Sequence, residues 1–271
     1  MTNALCLNTI TIKQEPDIRR QIEITAEAGY DGIGLWDNAL AEFETAGGNL
    51  RDLGEFVAAQ GLFVPEALFV RGWMLISSEE RRGALEAARD AFRRAYLVGS
   101  QTVVCCAAGH AGDENQAVQD WRDLCDVAEE FGIRLALEFI GMAAQFKDLD
   151  SVYRIVSKAD IKVGGILVDT FHFHRGASSL DSLAGNVPVK AIAMVHVNDF
   201  LPKPREVLTD LDRVFPGDGG GELFPILRAL KENDYSGPLS LEIFNQDYWS
   251  RDPREVAKEG LDKLRKFIAG I

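Results

Sequence analysis

Eight short apolar runs recur along this chain, each separated from the next by a longer segment whose apolar residues return at helical spacing. The runs fall at about residues 4–10, 31–36, 62–69, 102–107, 133–139, 164–169, 191–198 and 238–244. Helical patterns lie near 16–29, 49–60, 78–98, 114–131, 149–158, 178–185, 222–233 and 253–268. A run such as Ile133-Arg134-Leu135-Ala136-Leu137-Glu138-Phe139 is too short for a helix and is preceded by glycine. The segment from Glu79 to Val98 instead carries apolar residues on one helical face and charges on the other. Gly29, Gly61, Gly99 and Gly132 each close a helical pattern shortly before a strand, where a left-handed residue ends the helix. Strict alternation of strand and helix requires parallel strands joined by helical crossovers. Eight such units of about 34 residues each, the usual size of the motif, account for the whole chain. The expected fold class is α/β, a (β/α)8 TIM barrel forming one domain over residues 1–271. An open doubly wound sheet would need a glycine-rich turn after the first strand, and Asn8-Thr9-Ile10-Thr11-Ile12 is not one.

Charge and composition remove several classes of partner. With 29 lysines and arginines against 42 acidic residues the net charge is −13, which opposes binding to nucleic acid or an anionic membrane. No apolar stretch reaches the roughly 18 residues of a membrane span, and the start, Met1-Thr2-Asn3-Ala4-Leu5, lacks a basic segment followed by an apolar one. Cys6, Cys105, Cys106 and Cys125 form no CxxC pair, so neither a disulfide framework nor thiolate-bound zinc is expected. The expectation is a reduced, cytoplasmic protein.

Function in such a barrel sits at the C-terminal ends of the strands. Four consecutive strands carry a polar residue there: Glu138 in Ala136-Leu137-Glu138-Phe139, Asp169 in Val168-Asp169-Thr170, His196 in Val195-His196-Val197 and Glu242 in Leu241-Glu242-Ile243. The spacings are 31, 27 and 46 residues; the first two equal one βα unit and the third adds a long loop from about 199 to 217. Each residue alone suits a salt bridge or a core hydrogen bond. Together, three carboxylates and one imidazole, with no lysine or arginine among them, repel one another unless a cation is present. Oxygen and nitrogen donors without thiolate suit one divalent metal ion: Mn, Mg, Co or Zn.

The set Glu138, Asp169, His196 and Glu242, with Asp169-Thr170-Phe171-His172, His196-Val197-Asn198-Asp199 and Pro216-Gly217-Asp218-Gly219, resembles the xylose isomerase-like TIM-barrel superfamily. Its sugar-phosphate isomerase/epimerase group, with ketose 3-epimerases and inosose dehydratases, is the most similar. The resemblance implies a metal-dependent sugar isomerase or epimerase acting on a ketose or keto-sugar through an enediolate. Glu138 and Glu242 would be the catalytic pair, one removing a proton and the other returning one on the opposite face. His172, three residues after Asp169, would contact substrate oxygen, and His174 would share that face in an extended segment. Glu66 and Arg205 are further candidate substrate-binding residues. Arg71, Arg175 and Lys203 are possible readers of a carboxylate or phosphate, and solvated loop charges account for them equally well.

Departures from the epimerases bear on the substrate. They place a second glutamate six residues beyond the strand-5 ligand and an arginine six beyond the strand-7 histidine, where this chain has Ala144 and Pro202. Their recognition of free hexuloses does not transfer. The same enediolate could instead expel a β-hydroxyl, giving a dehydratase or lyase on a keto-inositol, keto-sugar or dehydroshikimate-like substrate. A DNA-repair role like that of endonuclease IV needs a histidine-rich three-metal cluster, and the chain has 4 histidines. A non-catalytic subunit of an assembly is a further alternative, against which stands the cost of keeping the four-ligand set buried without a metal to neutralise it. The expected partner is thus a small-molecule sugar or keto-cyclitol, with a homo-oligomer left open. The run Gly217-Asp218-Gly219-Gly220-Gly221 suggests a phosphate cradle, but Asp218 and Glu222 carry the wrong charge, so a flexible turn is expected.

Overall fold

A computed structural model describes residues 3–107, 109–220 and 223–271. Eight parallel strands close into a barrel: β1 (Leu5–Asn8), β2 (Gly32–Trp36), β3 (Ala67–Val70), β4 (Thr102–Cys106), β5 (Arg134–Glu138), β6 (Gly164–Asp169), β7 (Ile192–Val197) and β10 (Leu239–Leu241). A short antiparallel ribbon, β8 (Asp199–Phe200) with β9 (Arg213–Val214), stands between β7 and β10, pairing Asp199 with Val214 and Phe200 with Arg213. The main outer helices are α1 (Ile18–Ala28), α3 (Leu50–Ala59), α4 (Ser78–Leu97), α5 (Glu114–Glu129), α6 (Leu149–Ala159), α8 (Leu223–Glu232) and α10 (Pro253–Ala269). Three shorter ones, α2 (Asp37–Thr45), α7 (Thr170–Arg175) and α9 (Gln246–Trp249), lie in segments that follow barrel strands.

The expected alternation holds, with differences at several junctions. Gly29, Gly61, Gly99 and Gly132 all have positive φ, as helix-ending residues do. The helix expected over 178–185 is instead α7, which starts directly at Asp169, and a single π-helical turn at Ser182–Asn186. Asp169 caps α7 by accepting a hydrogen bond from His172 N at 2.7 Å, which explains the early start. The last strand stops short of 244 because Ile243 N turns aside to donate to Thr11 Oγ1. Gly221 and Glu222 lie outside the described residues, as do Met1 and Thr2.

The strand period of two sorts the core into two layers. Leu135, Leu137, Ile166, Val168, Val195 and Val197 pack with the outer helices, while Leu68, Val104, Ala136, Leu167 and Met194 form a separate cluster inside the barrel. Two residues further along the same inward-facing rows stand Glu138, Asp169 and His196. Ser240 and Glu242 continue that pattern on and just beyond β10. Alternation that fills the barrel with apolar side chains below therefore delivers polar ones at its mouth.

Candidate metal centre

Glu138, Asp169, His196 and Glu242 offer ligand atoms that all lie within 4.8 Å of one another, and all four residues are buried. The register explains the convergence: Asp169 pairs with His196 across β6 and β7, and His196 pairs with Ser240 across β7 and β10. His196 Nδ1 lies 3.2 Å from Glu242 Oε2 and 4.0 Å from both Glu138 Oε1 and Asp169 Oδ2. Yet Nδ1 is a buried nitrogen without a hydrogen-bond partner. A ring nitrogen in that position, among three carboxylates, completes a donor set that suits a cation.

Neighbouring donors hold two of the carboxylates. Asn8 Nδ2 donates to Glu242 Oε1 at 3.0 Å, and Asn8 Oδ1 accepts from Trp36 Nε1 at 2.7 Å. Asn198 Nδ2 donates to Asp169 Oδ2 at 2.9 Å. Glu138 meets His196 across 4.0 Å and has no such donor among the described residues.

An arginine does enter the cluster, correcting the expectation that it holds no fixed cation. Arg213 on β9 is 1% exposed and donates through Nη1 to Asp169 Oδ2 at 2.6 Å and to Glu242 Oε2 at 3.0 Å. Its Nη2 donates to Asp210 Oδ1 at 2.9 Å and lies 3.2 Å from His172 Nε2, and its guanidinium stands over the rings of Phe171 and Phe244. Pro202 stands where the epimerase pattern would put an arginine, and the ribbon brings Arg213 in from 17 residues past His196. The signal available in the sequence was a lone arginine beside the apolar pair Val214-Phe215. Even so, Glu66, Glu138, Asp169 and Glu242 oppose one guanidinium and one imidazole, an excess of buried negative charge that a divalent ion would offset.

Electrostatics divides the groups. Burial, and then the nearby Glu242, push the Glu138 carboxyl well above the usual carboxylate range. Burial acts the same way on Asp169, but Arg213, His172 and His196 outweigh it and hold that carboxyl at about 2. Burial disfavours the charged ring of His196, yet Glu242 and Glu66 raise its pKa well above the ordinary histidine value. His172 shifts the other way, because burial lowers it and Arg213 opposes its charge.

The remaining expected site residues are distributed differently. Glu66, expected near the end of its strand and facing the mouth, precedes β3 and is fully buried beneath His196, with Oε2 2.7 Å from His196 Nε2. His172 lies beside the cluster, its Nδ1 accepting from Gly141 N at 3.3 Å. His174 is on helical α7, not an extended segment; it stacks on Phe200 at 4.5 Å and lines a separate cavity of about 370 Å³ with the exposed Arg205. Arg175 holds the carbonyls of Glu206 and Leu208, and Lys203 pairs with Asp212 at 2.5 Å. Arg71 lines a cleft of about 570 Å³ that includes Lys13, Trp36 and Phe69, and Trp36 joins it to Asn8 and Glu242. The glycine turn at 217–219 does cradle an anion, the chain's own: Asp199 Oδ2 accepts from Gly217 N at 3.1 Å and Gly219 N at 3.2 Å.

Comparison with known proteins agrees with this geometry. The family model described as xylose isomerase-like TIM barrel matches residues 22–267. An inosose isomerase of Bacillus velezensis is 27% identical over 98% of this chain and 97% of its own length. A 3-dehydroshikimate dehydratase of Pseudomonas aeruginosa is 28% identical over 94% of this chain, which spans 40% of that longer protein. Among solved structures, an IolI protein with a bound zinc atom superposes with a TM-score of 0.91 at 24% identity, covering 98% of both chains.

Proposed function

Because the chain belongs to the xylose isomerase-like TIM barrel family, we propose that it is a divalent-metal-dependent isomerase or epimerase of a ketose or keto-cyclitol. The observation that carries this reading is the unpartnered His196 Nδ1 facing three buried carboxylates at the mouth of the barrel. Glu138, Asp169, His196 and Glu242 would hold the ion. Bound there, a divalent cation supplies Lewis acidity that polarises a substrate carbonyl and acidifies the adjoining C–H.

The chain's own residues supply the rest. Glu138 ends β5 and Glu242 follows β10, with β6 and β7 between them, so the two carboxylates flank the centre from different sides. One removes the proton beside the carbonyl and the other returns a proton on the opposite face. Burial and the neighbouring Glu242 raise the proton affinity of Glu138, which favours it as the group that takes up a proton. His172, kept neutral by its surroundings, is the candidate partner for a substrate hydroxyl, and Arg213 places fixed positive charge where the enediolate develops. The aromatic cleft beside Trp36 and Phe69 offers a wall for the carbon face of a ring. The likeness to an inosose isomerase along nearly the full length of both chains favours a keto-cyclitol.

A second reading, a dehydratase acting through the same enediolate, is favoured by the likeness to the 3-dehydroshikimate dehydratase. Incubating metal-loaded protein with a panel of keto-cyclitols and ketoses in D₂O separates the two. An isomerase or epimerase incorporates deuterium beside the carbonyl and keeps all its oxygens; a dehydratase loses water. Absence of both changes across the panel would overturn the proposal.

A further inference from the structure

Glu66 is a fully buried carboxylate inside the barrel, and each of its oxygens has a polar partner among the described residues. Oε1 accepts from Ser240 Oγ at 2.7 Å, and Oε2 lies 2.7 Å from His196 Nε2. The space it fills is kept open by Gly34 on β2, where an added Cβ would stand 2.7 Å from Glu66 Oε1 and 3.1 Å from its Cγ. Three strands and the segment before a fourth thus combine to keep one carboxylate against the inner edge of one imidazole.

Of the two ring nitrogens of His196, Nε2 faces Glu66 at 2.7 Å, where an N–H can donate to the carboxylate. The other ring nitrogen, Nδ1, is then the one that can offer a lone pair, and it is the atom aimed at Glu138, Asp169 and Glu242. We propose that Glu66, steadied by Ser240 and admitted by Gly34, is a positioning residue that makes His196 an Nδ1 ligand with its proton on Nε2. This deepens the metal-dependent reading above and rests on it. A carboxylate behind a ligating histidine fixes the tautomer and ring orientation and raises the basicity of the ligand nitrogen.

The test uses the full chain loaded with Zn²⁺ for nitrogen-15 NMR of the histidine rings, and Co²⁺ titrations of metal-free wild type, Glu66→Gln and Glu66→Ala. The expected result is a zinc-loaded His196 with a protonated Nε2 and a metal-bound Nδ1. Co²⁺ affinity should be weaker by about 10- to 100-fold in Glu66→Ala and less so in Glu66→Gln, which keeps an acceptor. The visible cobalt spectrum of each variant reports ligand geometry, which a loss confined to fold stability would not change. Wild-type protein with Nε2 on the metal, or variants that bind Co²⁺ within about twofold of wild type, would overturn the assignment and leave the metal centre intact. Wild type that binds neither ion would overturn the metal-dependent reading, and this role with it.

Discussion

Arg213 carries the electrostatic account of the site at the level of single residues. It bridges Asp169 and Glu242 while 1% exposed, so removing it leaves two buried carboxylates without their fixed countercharge. Breaking a buried pair in this way costs about 3–5 kcal/mol. Arg213→Met is therefore expected to lose stability of that order in urea unfolding of the metal-free protein, and a loss under about 1 kcal/mol would contradict the pairing. Glu138 supports a second expectation. Its raised pKa means that a proton competes with the metal for the carboxylate, so binding should release protons and weaken as pH falls. Calorimetry in buffers of unlike ionisation enthalpy, at about pH 6 and about pH 8, measures both; affinity that rises toward acid would contradict it. The four clustered residues were legible in the sequence because the residue two beyond an inward one must also face inward. Arg213 was not, because a fixed offset from His196 cannot anticipate the ribbon that carries it back.

The β8–β9 ribbon and the turn after it set where Arg213 stands. Asp199 anchors that turn through Gly217 N and Gly219 N, and an added Cβ at Gly219 would lie 2.2 Å from Asp199 Oδ1 and 2.4 Å from Phe200 O. Gly219→Ala is expected to cost about 1–3 kcal/mol, the range for overpacking, and to lower turnover by displacing Arg213; unchanged melting and turnover would contradict this anchoring. The opposite outcome is expected in α4. Gly83 lies inside that helix with nothing within 4 Å of an added Cβ, so Gly83→Ala should stabilise by up to about 1 kcal/mol, measurable in denaturant unfolding. At this scale the sequence was readable wherever periodicity was sustained, as in α4, α5 and α10. It was less so after β6, where Asp169 starts α7 at once and the segment expected as a helix over 178–185 forms only the turn at Ser182–Asn186. Glu66 was misplaced for a related reason: strand 3 begins later than its apolar run, so a residue expected near the strand's end lies before its start.

Across the whole molecule, the parallel barrel unites strands from residue 5 to residue 241 around one polar mouth. The net charge of −13 includes three buried carboxylates in that mouth and Glu66 beneath them, and no described helix is long and apolar enough to cross a membrane. A cation bound between strands so distant in sequence stabilises the fold as a unit, by about 2.7 kcal/mol at a free concentration 100 times its dissociation constant. Added Mn²⁺ should accordingly raise the melting temperature of wild type but not of an Asp169→Asn, His196→Ala double variant. The most direct observation is anomalous diffraction from crystals soaked in Mn²⁺. One peak bounded by Glu138, Asp169, His196 and Glu242 is expected; no peak there, or one held by other residues, would contradict the assignment of this cluster as the metal centre.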